Sequence, residues 1–345
     1  MTSPLTISDP VQEPEPELFL PEPVIPPAPP RQRFRSLKLF MQNRKAQFGL
    51  ALLMVFVVGA ILGPRLTEFG PKDFAGRPNV KPSREHYFGT DGQGRDVFAQ
   101  MVWGARATLR NGFMVGIITT AMGAIIGLTA GYFRGIVDEV LSLFMNVFLI
   151  IPSLPLLVVL AAFLADGFWI LPDSMIVVLV LSVTGWAWPA RVMRSQMLSL
   201  REKDFVSAAI VSGESRTRII FSEIFPNMLN IVVTAFLGGT VYAIGAEAGL
   251  EFLGLGNISK TTWGTILYWA QNNSALLLGA WWAFVPAGLA IALVAVSLVM
   301  MNYAMDEISN PRLQAQREAK SALKHSVAQG GRATPVLTHA NANAN

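Results

Sequence analysis

Long apolar runs alternate along this chain with short polar segments, several of them basic. A helix that rises about 1.5 Å per residue needs about twenty apolar residues to cross a hydrocarbon layer of about 30 Å. Six stretches approach or exceed that length, at about 47–63, 113–132, 140–164, 170–188, 228–250 and 279–303. The first is short by itself, and residues 39–41 help to anchor it. Six crossings return both termini to one side. Short loops rich in Lys and Arg stay in the cytoplasm, and the loops at 165–173 and 251–278 together hold a single basic residue, Lys260. The other external basic residues fall mostly between Arg65 and Arg110, in a long loop of mixed charge, where the rule is weak. The pattern predicts a multi-pass protein with cytoplasmic N- and C-termini.

The ends of the chain read differently. Residues 1–30 contain ten prolines and four glutamates with no apolar period, so a disordered cytoplasmic tail is expected. It lacks the basic start, apolar stretch and small-residue cleavage site of a secretory signal. Residues 31–46 interleave Arg31, Arg33, Arg35, Lys38, Arg44 and Lys45 with Phe34, Leu37, Phe40 and Met41. That spacing gathers the apolar set on one helical face and predicts an amphipathic helix lying in the membrane interface. Residues 313–345 form a second expected disordered tail. All eight tryptophans are placed in loops or near span ends, where indole rings favour the headgroup boundary.

Two spans carry further signals. Gly123, Gly127 and Gly131 recur every four residues, leaving a groove along one helical face that another helix can approach closely. Pro152 and Pro155 each remove a backbone donor within the third span, which predicts a kink facing the protein interior.

Composition narrows the chemistry. The chain is 52% hydrophobic and 14% charged, too apolar for an ordinary soluble protein of its length. Cysteine is absent and the three histidines are scattered, so no metal site and no nucleophile with a base and an orienter can be assembled. The net charge of +4 is spread in patches between apolar runs rather than along a stripe, which argues against nucleic acid. The nearest approach to a phosphate-binding loop is GLGNISKTT at 254–262. Ser259 replaces the required glycine, and the segment is an external loop. No catalytic residue is expected, and any work must enter from outside.

The longest cytoplasmic stretch between spans is 191–227. A helical pattern over 201–212 stops at Gly213; a second begins after Ser215, a good N-cap, and carries Ile220, Phe221, Ile224 and Phe225 before Pro226 is expected to end it. Two short helices about a glycine turn predict a projecting knob.

Within this knob, Ser207-Ala208-Ala209, Gly213 and Ile224-Phe225-Pro226-Asn227 resemble the EAA loop of binding-protein-dependent ABC importer permeases. Two further segments are similar to the dipeptide, oligopeptide and nickel branch of that family: HYFGTDGQGRDVFAQMVWGARATL at 86–109 and AEAGLEFLGLG at 246–256. The match is better to the C-type than to the B-type subunit. Departures include Ser207 for the leading Glu of the EAA motif, Glu223 for a usual His, Tyr87 for Pro, Asn146 for Asp and Glu251 for Ser.

The resemblance implies an all-α membrane protein whose residues 47–312 form a six-helix, type I (MetI-like) permease domain with a coupling loop at about 201–227. It implies ATPase-coupling roles for Ala208, Ala209, Gly213, Ser215, Ile220, Phe221, Ile224 and Pro226, with Ile220, Phe221 and Ile224 as docking anchors. Implied partners are a homologous B-type permease, two ATPase subunits and an extracytoplasmic solute-binding protein, in a bacterial plasma membrane. ATP and Mg would bind the ATPase subunits, leaving this chain without a cofactor. The implied function is half of a translocation pathway for oligopeptides or dipeptides. The same architecture carrying oligosaccharides is an alternative, as is an ion-driven secondary transporter.

Two polar sets remain. Glu247 and Glu251 lie four residues apart near the outer end of the fifth span, hence on one face, as an outer gate or solute contact or as partners of a neighbouring helix. Gly89, Thr90, Asp91, Gly94, Arg95 and Asp96 predict an outer-surface turn capping an amphipathic helix through Leu109, available to a binding protein or closing the entry to the second span.

Overall fold

The computed structural model describes residues 35–163 and 173–309. The tails at 1–30 and 313–345 and most of the loop at 165–173, with Trp169, lie outside the described residues. Of the amphipathic segment 31–46, a helix α1 spans Arg35–Gln42.

Among the described residues the architecture is all helical. Helix α2 (Arg44–Leu66) is the first crossing. Helix α3 (Val97–Phe133) is the second. The third crossing is bent by 90° between α4 (Gly135–Ile150) and α5 (Ser153–Phe163), and the fourth by 41° between α6 (Asp173–Gly185) and α7 (Ala187–Arg201). A hairpin after α7 holds α8 (Asp204–Val211) and the single turn α9 (Arg216–Arg218), and runs through a π-helical turn at Ile219–Ile224 into α10 (Phe225–Phe252). Helix α11 (Trp263–Asn272) lies outside the crossings, and α12 (Val285–Ser309) completes them. Among the described residues four helices are long and apolar enough to cross a membrane, and the number is six where each bent pair is one span.

Helix α3 is the axis of the bundle. A Cβ on Gly123 would meet Pro189 and Ala190 of α7, one on Gly127 the backbone of Ala190 and Arg194, and one on Gly131 Met197. The four-residue glycine repeat therefore seats α7 along α3 at a separation that any side chain would increase. Gly112 and Gly116 receive Ile244, Thr240 and Phe236 of α10 on another face. Small residues at such contacts let backbones approach in a medium that offers no hydrophobic drive between helices. On the far side, Gly49 of α2 packs against Ser297 and Met301 of α12. Asn43, the N-cap of α2, donates to Glu307 at 2.9 Å, so the start of α2 and the end of α12 lie together.

Three expectations need correction. The helix expected on the outer surface through Leu109 is continuous with the second crossing. At 37 residues, α3 is about 55 Å long and stands well beyond a hydrocarbon layer of about 30 Å. Nothing interrupts it, because Gly112 serves close approach to α10 and Asn111 is buried in a hydrogen bond. Pro226 does not end a helix but sits in the first turn of α10. The π turn before it moves the pairing out by one residue, with Phe225 N–H reaching Ile220 O, so the missing donor of proline is absorbed. The Trp263 ring is not free to face lipid headgroups, nor are those of Trp186 and Trp282, which are buried too. Trp263 is fully buried beneath Phe56, edge to face at 5.7 Å, and its Nε1 donates to Met101 O at 3.0 Å.

Candidate functional site

The hairpin between α7 and α10 is built from the root outward. Val206, Ile219, Ile220, Ile224 and Met228 are buried with Leu128 and Tyr132 of α3 and Met193 and Met197 of α7. Burial of each large aliphatic side chain contributes about 2 kcal/mol by area, so the root is fixed to the bundle. At the tip, Gly213 has φ of +76° and open space around it, and Ser215 caps the following turn by accepting Arg218 N–H. A β-branched residue at that φ would be strained, whereas glycine turns without penalty. The apolar residues between root and tip face outward: Val211 is 89% exposed, and Ile210, Phe205 and Phe221 are exposed with it.

The residues expected to act at this loop therefore divide. Ala208, Gly213, Ser215, Phe221 and Pro226 lie on the surface and Ala209 is half-buried. Ile220 and Ile224, expected as docking anchors, are buried in the protein's own core and hold the hairpin down instead. Ile210 and Val211 fall within the helical pattern over 201–212 and carry no expected role there. The available signal is that Val211, five residues after the buried Val206, falls off the helix face that Val206 occupies.

Both bends open on one cavity of about 690 Å³. Residues 150–153 of the third crossing, Thr184, Gly185 and Trp188 of the fourth, Gly238 and Tyr242 of α10, and Asn302 and Asp306 of α12 line it. Proline supplies the first bend, since Pro152 cannot donate to the helix before it. Among the described residues the lining contains no Lys or Arg.

Glu247 and Glu251 do not line this cavity. Both are buried. Asn111 of α3 donates to Glu247 Oε1 at 2.6 Å, and the Thr262 hydroxyl donates to Glu251 Oε2. Gly264 of α11 lies so close to Glu251 that a Cβ there would collide with the carboxylate. The pair thus braces α10 against α3 and α11.

The turn expected at 89–96 forms, and most of it is buried. Asp91 accepts from Gln93 N–H at 2.8 Å, Arg95 N–H at 2.9 Å and Gln100 Nε2 at 2.8 Å. Asp96 caps α3 by accepting from Ala99 N–H at 2.8 Å, and its second oxygen meets His86 Nδ1 at 2.9 Å. Thr90 donates to Arg77 O, accepts from Val80 N–H, and receives Trp282 Nε1 on its carbonyl at 3.0 Å. Gly89, with φ of +69°, packs against Val80 O and the Trp282 ring, where a side chain would not fit. Arg95 is half-buried. The turn ties the outer loop to the start of α3 and to the segment before α12. Among the described residues no group of three metal-ligating side chains converges.

Residues 123–314, more than half of the chain, match the family described as binding-protein-dependent transport system inner membrane component. A protein named dipeptide transport system permease protein DppC, from Alkalihalophilus pseudofirmus, is 33% identical over 310 residues, covering 86% of this chain and 97% of that one. A putative peptide transport system permease protein of Brucella suis biovar 1 is 32% identical over 283 residues, covering 81% and 92%. Among solved structures, an inward-facing form of the MetNI methionine ABC transporter is similar at 19% identity with a TM-score of 0.48, over 61% of this chain and 94% of that chain.

Proposed function

The chain belongs to the family of binding-protein-dependent transport system inner membrane components, and from that membership and the inner hairpin we propose that it is one permease subunit of an ATP-driven importer. It forms half of a translocation pathway for oligopeptides or dipeptides. The observation that carries the proposal is the hairpin itself: a rigidly rooted knob that presents Val211, Ile210, Phe205 and Phe221 to solvent. Exposed apolar groups on a fixed support mark a contact surface. The names of the two relatives support peptides as the solute.

In this reading the hairpin docks in a groove of an ATPase subunit, with Ala208, Gly213, Ser215 and Phe221 joined by Ile210 and Val211 at the contact. ATP and Mg reside on two such subunits. The cavity between the two bends is the wall of a pathway that a homologous permease completes, and a solute-binding protein delivers solute from outside. The chain crosses a bacterial plasma membrane with both ends in the cytoplasm. Closure of the ATPases on ATP moves the hairpin. The coupling equals the difference in free energy with which the two states of the permease bind the closed ATPases.

Reconstitution of the complex in vesicles tests this directly. Uptake of labelled peptide is expected to need ATP and the binding protein and to stop with vanadate. Uptake driven by an ion gradient through this polypeptide alone would sink the proposal, and competition by oligosaccharides but not peptides would reassign the solute.

A further inference from the structure

The third crossing begins at a sharp corner. Arg134 and Gly135 both have positive φ, at 55° and 58°, and turn the chain from the end of α3 into α4. Around this corner three arginines reach between the α3–α4 junction and α7. Arg201 donates to Tyr132 O at 2.6 Å and lies over the Tyr132 ring at 5.5 Å. Arg134 pairs with Glu202 just past the end of α7. Arg194 binds Asp138 of α4 with both prongs of its guanidinium, Nε to Oδ1 at 2.5 Å and Nη2 to Oδ2 at 2.7 Å. The Ser142 hydroxyl adds a third hydrogen bond to Asp138 at 3.1 Å.

These contacts are not equal. Arg134 and Glu202 are 46% and 66% exposed, and exposed pairs of that kind contribute little. Arg194 and Asp138 are 28% and 16% exposed, and a two-pronged arginine–carboxylate pair fixes orientation as well as distance. The rest of the contact between α4 and α7 is apolar, with Met145 set against Ala187 and Ala190 and Phe148 against Trp186. Such packing resists separation but has no direction, so it leaves sliding and rotation of α4 weakly opposed. The ion pair supplies the missing restraint at the cytoplasmic end.

What α4 connects gives the pair its meaning. Its first turn is bound to α7, which leads directly into the inner hairpin. Ten residues further, about 15 Å along the axis, Phe148 to Ile151 line the cavity, and the 90° bend into α5 follows. Resting on the importer function proposed above, we infer that the Asp138–Arg194 pair is the link through which movement of the hairpin and α7 is transmitted to the α4–α5 bend in the pathway wall. Asp138 and Arg194 are positioning residues, in contact with neither solute nor ATP.

The test separates transmission from assembly. In the reconstituted complex, Asp138→Asn is expected to lower peptide uptake at least tenfold while ATP hydrolysis stays within about twofold, so that more ATP is consumed per peptide. Arg194→Lys, which keeps the charge but loses the fork, is expected to fall between the parent and Asp138→Asn. The chain has no cysteine of its own, so Asp138→Cys with Arg194→Cys can be joined by a short bifunctional thiosulfonate. Uptake is expected to be poor in the unjoined protein, to recover on joining and to fall again with dithiothreitol. An unchanged ratio of peptide to ATP in Asp138→Asn overturns the inference, as does failure of the joined protein to recover. If the parent complex itself shows no ATP-driven uptake, it is the importer function that fails.

Discussion

Glu247 lies near the last turns of α10 and Val211 in the hairpin that precedes its first, and they break the usual rule of burial in opposite senses. Around Glu247 and the 89–96 turn, polar and charged side chains are taken out of solvent and met by specific partners: Asn111, Thr262, Gln100, His86 and backbone N–H groups. Around Val211, apolar side chains are left largely exposed among the described residues, although their neighbours Val206 and Ile220 are buried. The first region meets most of its buried polar groups from within, Glu247 Oε2 being an exception among the described residues. The inner region is stable at its root and incomplete at its tip. Substitutions should therefore cost folding at the outer end and coupling at the inner end.

The largest effect on stability is expected at Asn111. Asn111→Ala leaves Glu247 buried without its hydrogen bond, and its second oxygen Oε2 already lacks a partner among the described residues. Leaving a buried carboxyl oxygen without its donor costs about 1–3 kcal/mol. The purified protein should unfold at clearly lower temperature in detergent, and Asn111→Asp should be worse, since it replaces the amide donor with a second acidic group. A melting temperature like that of the parent would show that the outer brace does not hold the bundle.

This contrast was only half legible in the amino-acid sequence, for a physical reason. Features that depend on one residue and its near neighbours could be read: the Gly123, Gly127, Gly131 groove, the turn at Gly213, the cap at Ser215 and the bend at Pro152. A missing Cβ or a missing N–H acts wherever it stands. Features that depend on a partner far along the chain could not. Asn111 and Glu247 are 136 residues apart and Asp138 and Arg194 are 56 apart, and neither pair leaves a periodic trace. Ile220 and Ile224 misled because an apolar stripe reports that a face is covered, not by what. The π turn that lets Pro226 sit inside a continuous helix has no signature in spacing at all.

A smaller and local effect is expected at Gly213. Its φ of +76° makes left-handed backbone obligatory, at about 1–2 kcal/mol for an ordinary L-residue, and open space around it rules out collision. Gly213→Val should loosen the hairpin without moving the melting temperature of the bundle, and should lower uptake several-fold. Gly213→Asn, which tolerates the left-handed region, should retain most uptake. Equal losses in both would mean that the turn matters for something other than its backbone.

The smallest effect on stability and the sharpest on coupling belong together at Val211. At 89% exposure its side chain contributes almost nothing to the folded protein alone, and Val211→Asp should leave the melting temperature unchanged, within about 0.5 kcal/mol. If the hairpin tip is covered by an ATPase subunit, the same change places a carboxylate in an apolar contact, where an unpaired charge is strongly unfavourable. Retention of the ATPase on the purified permease should then fall at least tenfold and ATP-driven uptake with it, whereas Val211→Leu should preserve both. An intact complex and full uptake in Val211→Asp would place the docking surface elsewhere on the hairpin.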